Sequence, residues 1–150
     1  MGTTTPNGPM PSGPMPSGPM SVFGQAQRAM SAQLVRMNTA ASNLANAGTV
    51  AGSEKDAYRP LRAVFSEQLD AATGTSTVRV NGVYRSNATP VRQHEPDNPL
   101  ADANGDVWAA PVDENAEMVE MMDSARQYQN VVEALQTSKQ LMLDTLRMKP

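Results

Sequence analysis

Few residues in this chain have the type and spacing to do chemistry. There is one histidine, His94, and no cysteine. Thiolate nucleophiles, disulfides and thiolate metal sites are therefore excluded, and either a reducing or an oxidising compartment suits the chain. His94 stands before Glu95-Pro96 with no Ser, Asp and Gly-flanked nucleophile arrangement around it; it reads as a solvated loop histidine, not a general base. No carboxylate is embedded in an apolar run that would raise its pKa. Asp102-Ala103-Asn104-Gly105-Asp106 has the composition of a calcium loop. Aligning Gly105 with the invariant glycine of such loops puts Leu100 at the first ligand position and Pro111 at the bidentate one. Two essential oxygens are missing, so a turn braced by Asx side chains is expected instead. No glycine-rich segment runs into Gly-Lys-Ser/Thr, so there is no phosphate loop. The eleven methionines could offer thioether ligands, but those of the last third fall at packing positions. The expectation is no catalytic residue, no cofactor, no metal ligand and no enzyme.

Composition points the same way. A net charge of −3, a pI near 5.1 and scattered basic residues give no case for nucleic acid. No stretch approaches the length of apolar sequence that direct membrane insertion needs. The first 27 residues carry no charged side chain but are broken by Pro and Gly, so no cleaved secretory signal is expected. One Trp, three Tyr and two Phe in 150 residues are few for a compact core. The apolar content sits in Met, Leu, Val and Ala, which fill helix seams.

The elements that would have to position any site are two long helices. Residues 1–20 form a Pro/Gly/Met tail in which Gly8-Pro9-Met10-Pro11-Ser12 recurs at Gly13-Pro14-Met15-Pro16-Ser17, and this tail is expected to be disordered. From Ser21, a good N-cap, Phe23, Ala26, Met30, Leu34, Met37, Ala41 and Leu44 fall at steps of three and four. That spacing predicts a helix over 21–47, about 39 Å long. Residues 48–112 read as an irregular, β-rich middle. Tyr58–Phe65 is a short strand or an extended arm, and 71–76 is a loop. Val78–Arg85 is a strand in which Asn81-Gly82 makes either a tight hairpin turn or a bulge; the bulge is the favoured reading, with the turn at Ser86–Thr89 and a partner strand at Val91–His94. Asn104-Gly105 supplies a turn before a strand at Asp106–Trp108. A second stripe, Met118, Met121, Ala125, Tyr128, Val132, Leu135, Met142 and Leu146, predicts a helix over 113–148. Its acidic start and its Arg147 and Lys149 suit the helix dipole. The fold class is thus mainly α with a small β insert: long end helices pairing as a coiled coil, a β-hairpin middle region and a disordered tail.

Several segments together are similar to flagellar basal-body rod proteins of the axial rod and hook family. Ala41-Ser42-Asn43-Leu44-Ala45-Asn46-Ala47 resembles the SNxANxxT signature that closes the family's first helix. Tyr58–Phe65 matches its aromatic-basic stretch, and Val78–Val83 its GVxVxGI strand. Asn98–Val107 resembles the HPDADxNGYV loop, and Glu117–Met122 with Ala125–Asn130 resembles EMVxMxxAxRxYxAN. The likeness covers residues 21–148 in order, and the loop coupled to Glu117–Met122 points to the proximal-rod type. Asn98 and Leu100 stand where the family has His and its first Asp, Asp106 where it has Tyr, and Pro111 is offset by one position.

The resemblance implies a subunit of the shaft that carries torque from motor to hook. It implies type III export as an unfolded chain, a basal-body location outside the cytoplasmic membrane, and partners among other rod proteins and copies of itself. It also implies end helices paired into an inner tube, with the β-rich part facing outward. The stripe residues themselves, Met30, Leu34, Met37 and Leu44 with the eight named on the second helix, are the expected subunit interface. Two alternatives share the helices: another flagellar axial protein, and a soluble helical-hairpin adaptor or secretion chaperone. The adaptor would leave the β motifs unexplained.

Overall fold

The computed structural model describes residues 19–70 and 74–148. The Gly-Pro-Met repeats before Pro19, and the disorder expected of them, lie outside the described residues. Helix α1 spans Pro19–Ala45. It begins two residues ahead of Ser21, which lies inside the helix rather than capping it; proline suits the first helical position because its φ is preset and its missing N–H is not needed there. The helix stops at Ala45, two residues before the expected end at 47. Asn46 and Ala47 donate to the Asn43 and Leu44 carbonyls, and Asn46 Nδ2 reaches the Ser42 carbonyl at 2.8 Å. A side chain that caps orphan carbonyls ends the helix sooner than glycine would.

Helix α2 spans Glu114–Arg147, and Asp113 caps it by accepting from the Ala116 N–H at 3.1 Å. The two helices lie side by side. Gln33 Nε2 donates to Gln127 Oε1 at 2.9 Å and Arg36 Nε to Glu120 Oε1 at 2.7 Å. Rising numbers on α1 meet falling numbers on α2, so the pair is antiparallel. The apolar and small positions that the two helices bury are Ala32, Ala40 and Ser124; no large apolar side chain of either helix is buried among the described residues. Small side chains let helix axes approach closely, and they displace the larger stripe residues toward the edges of the contact.

Between the helices the chain builds two small sheets. β2 (Leu61–Asp70) and β3 (Thr75–Arg85) form an antiparallel ribbon from Leu61↔Arg85 to Asp70↔Thr75. Val64 opposes Gly82 and Phe65 opposes Val80, which leaves Asn81 as the extra residue of the expected bulge. The partner of this strand differs from the expectation. Val91–His94, β4, pairs instead with β5 (Asp106–Ala109), and the two-residue β1 (Val50–Ala51) covers the other edge of β5. Thr75 and Ser76, expected in a loop, belong to β3. The stretch after Phe65, with Ser66, Glu67 and Gln68, lacks the β-branched residues that mark a strand, so β2 is longer than its sequence suggests.

β5 is the best-covered strand, with Val107 fully buried and Asp106 and Ala109 nearly so. The loop at Gly52 closes over this sheet so tightly that a Cβ there would stand 2.9 Å from the Leu100 carbonyl oxygen. A backbone atom cannot step aside, so Gly52→Ala should cost about 1–3 kcal/mol in denaturant unfolding. Gly48→Ala, where a Cβ meets nothing, should cost far less.

Candidate functional site: two polar anchors and an exposed apolar flank

The ribbon is tied to the helices by single side chains. Asn43, fully buried near the end of α1, accepts from the Leu61 N–H at 2.7 Å and from the Tyr58 hydroxyl at 2.9 Å. Its Nδ2 donates to the Leu61 carbonyl at 2.9 Å. One amide thus answers both backbone groups of the residue where β2 begins, as a neighbouring strand would. Arg28 Nη1 donates to the Thr77 hydroxyl at 2.9 Å further along the same helix.

The second anchor is ionic. Glu117, in the first turn of α2, is buried and accepts from Arg62 Nη1 at 2.7 Å, while Arg62 itself is more than half exposed. Arg36 and Glu120 form a parallel pair one turn on. The sequence presents Glu117 as one of several acids facing the dipole of α2. Nothing in its type or spacing marks it as the acid the fold buries.

The third polar cluster holds β4 to β5. Asp106 is buried and accepts from Arg92 Nε at 2.7 Å and again from Arg92 Nη2, and its Oδ1 lies 3.0 Å from His94 Nδ1. His94 is an exposed strand residue in an ion-pair cluster, not a loop residue. The Asx-braced turn is present: Asp102 Oδ1 accepts from the Asn104 and Asp106 N–H groups, and Gly105 adopts φ +77°. Among the described residues no cluster of His, Asp and Glu has the arrangement to hold a metal ion. No described helix is long and apolar enough to cross a membrane.

Hydrogen bonding to Arg92, then to His94, holds the Asp106 carboxyl below its ordinary 3.8, against burial, which raises it. The same pairing raises the Arg92 guanidinium. A depressed carboxyl stabilises the fold above its ordinary pKa, and that stability is lost as pH falls through the lower folded value. Trp108, the one tryptophan, sits on β5 and reports the change. Its fluorescence should show an acid transition that lies below pH 3.8, and Asp106→Asn should remove that limb.

None of the twelve stripe residues is buried. Met30, Met37, Leu44, Met121, Ala125, Tyr128, Val132, Leu135 and Met142 are half-buried, and Leu34, Met118 and Leu146 are exposed. Others escaped the single-stripe reading altogether: Val119, Met122 and Leu141 are each about 60% exposed. The sequence does carry their signal, in the doubled apolar residues Met118-Val119, Met121-Met122 and Leu141-Met142-Leu143. Doubling widens a stripe until one partner helix cannot cover it.

Comparison with known proteins agrees at both ends of the chain. Residues 25–51 match the family model for flagella basal body rod protein, and residues 103–148 match that for the C-terminal part of the flagellar basal body rod FlgEFG proteins. The two matches fall on the two helices and define the class as flagellar rod protein. Over 128 residues the chain is 47% identical to the flagellar basal-body rod protein FlgC of Salmonella typhimurium (strain LT2), covering 84% of this chain and 94% of that one. It is 46% identical to FlgC of Escherichia coli O157:H7 over the same length and shares. To FlgC of Agrobacterium fabrum it is 27% identical over 122 residues, 81% of this chain and 88% of the relative. The chain belongs to the FlgC family of flagellar basal-body rod proteins.

Proposed function

We infer that the chain is a structural subunit of the flagellar basal-body rod, set in its proximal shaft, where it passes torque from motor to hook. The observation that carries this is the 47% identity to a FlgC protein across nearly the whole of that relative. The protein resides in the flagellar basal body and associates with other rod components. It works by packing, not by catalysis.

In this reading α1 and α2 wind about each other as a coiled coil and line an inner tube, with the two sheets outward. Met30, Leu34, Met37 and Leu44 on α1, with Met118, Met121, Ala125, Tyr128, Val132, Leu135, Met142 and Leu146 on α2, meet neighbouring subunits. Their partial exposure in the single chain supports this, since a surface completed by neighbours is open before assembly. Contacts that do not close on themselves build shafts of indefinite length, and many shallow helix contacts share a twisting load. The chain reaches its place through the flagellar type III export apparatus as an unfolded polypeptide. A thin core suits that route, because little stability must be undone first.

Deleting the gene and imaging the envelope fraction by electron microscopy tests the assignment. Rods and hooks should be missing, the export base intact, and complementation should restore both. Normal flagella in the deletion would overturn it.

A further inference from the structure

The end of α2 has no mate among the described residues. The bonds from Gln33 to Gln127 and from Arg36 to Glu120 fix the register of the helix pair. Carried along at the common helical rise, that register sets Pro19 opposite about Lys139. α1 has 27 residues and α2 has 34, so the surplus of α2 lies past that point. No described element but α1 brings its backbone close to α2. The overhang is nonetheless apolar: Leu141, Leu146 and Met148 are 63%, 70% and 82% exposed, and Leu143 is open to solvent too. A helix end of this composition gains by lying on another surface.

The chain offers a fitting surface at its other end. Beside α1, where it passes the start of α2 and the β2–β3 ribbon, lies an open groove of about 690 Å³. Ala29, Ala32 and Ala40 line it from the helix, and Ala63, Phe65 and Val78 from the ribbon. Small residues on the helical wall admit another helix at close range. Ala29 and Ala40 are roughly 16 Å apart along α1, and residues 140–148 span about 13 Å, so the overhang fits lengthwise. Charge agrees. The start of α2 borders the groove through Glu117 and Glu120. It carries Asp113, Glu114, Glu117, Glu120 and Asp123 with no basic residue between them, and Arg36 and Arg62 answer only two of these acids. Residues 139–150 instead carry Lys139, Arg147 and Lys149 against Asp144. We propose that residues 141–148 of one copy seat in the groove of the next, the basic end of one α2 meeting the acidic start of the other. The contact rests on the rod reading and deepens it, because it names a second copy as the partner of this surface. It joins two different patches, so successive contacts extend a shaft instead of closing a pair.

The chain has no cysteine of its own, so introduced thiols report the contact cleanly. Leu146→Cys and Ala63→Cys are placed in separate full-length copies, one of them tagged, and expressed together in the deletion strain. A short bis-maleimide added to isolated hook–basal bodies should join tagged to untagged copies. The yield should exceed that of Leu146→Cys expressed alone by about fivefold or more, since neighbouring thiols react at their effective concentration. Adding Arg147→Glu to the Leu146→Cys copy should cut the yield by a similar factor, because it sets like charges together. Leu143→Cys with Val78→Cys repeats the comparison if either first variant fails to assemble. Rods that contain both variants without this cross-link would overturn the contact, and so would Leu146→Cys joined to a different rod protein instead. Failure of the rod reading looks different: the natural chain would be absent from basal bodies of the complemented strain. The two purified variants, mixed, would then decide the contact. A cross-link that rises with protein concentration upholds it, and none at any concentration overturns it.

Discussion

Replacing Asn43 with alanine should lower the unfolding free energy by about 3–5 kcal/mol, because three polar groups lose their partner at one buried point. The Leu61 N–H, the Leu61 carbonyl and the Tyr58 hydroxyl all bond to this amide, and the hydroxyl alone has a second, longer contact, to Ser42 Oγ at 3.5 Å. Tyr58→Phe removes only one of the three bonds and should cost about 1 kcal/mol. Asn46→Ala, which loses one bond to the Ser42 carbonyl, should cost a similar amount. Asn43→Asp is not a rescue, since a carboxylate cannot donate to the Leu61 carbonyl and would bury a charge. Denaturant unfolding of the four variants measures the series. An Asn43→Ala variant within about 1 kcal/mol of the parent would show that the ribbon is held by something else.

Val132→Asp or Leu135→Asp should abolish rod assembly while the chain is still made at normal levels. Both side chains are half-buried in the single chain, so monomer stability changes modestly. At an interface completed by a neighbour, the unpaired charge costs about 3 kcal/mol or more per contact. That is roughly a hundredfold in affinity at each contact, and a shaft repeats the penalty at each subunit. Motility, and hook–basal bodies counted by electron microscopy, are the readouts. Normal rods from either variant would sink the interface assignment.

The helices were legible in the sequence because a period of three and four survives every local irregularity. The bulge at Asn81-Gly82 and the turn at Asn104-Gly105 were legible because their chemistry is local. Strand partnership was not. Val91–His94 lies just downstream of β3 and has the length of a hairpin partner, yet β5 takes it. The choice rests on Asp106, which draws Arg92 and His94 to itself across the sheet. No local pattern announces such a pairing. The two anchors were hidden for a related reason. Asn43 and Glu117 are polar residues on helices, a type that sequence assigns to solvent, and only the returning chain at Tyr58–Arg62 encloses them. The resemblance to rod proteins picked out both segments without saying what either side chain touches.

Pairing the first described element with the last also sets the order of folding. Everything from Asn46 to Asp113 separates α1 from α2, so their contact closes a loop of about 70 residues, among the slower events open to a chain this size. When the polypeptide emerges amino end first, α1 waits for its mate until nearly the whole length is free. The ribbon and the small sheet can form during that wait, but Arg62 meets no Glu117 and Arg36 no Glu120. Maturation is therefore timed by the carboxyl end, and a chain stopped short in α2 forfeits the helix made first.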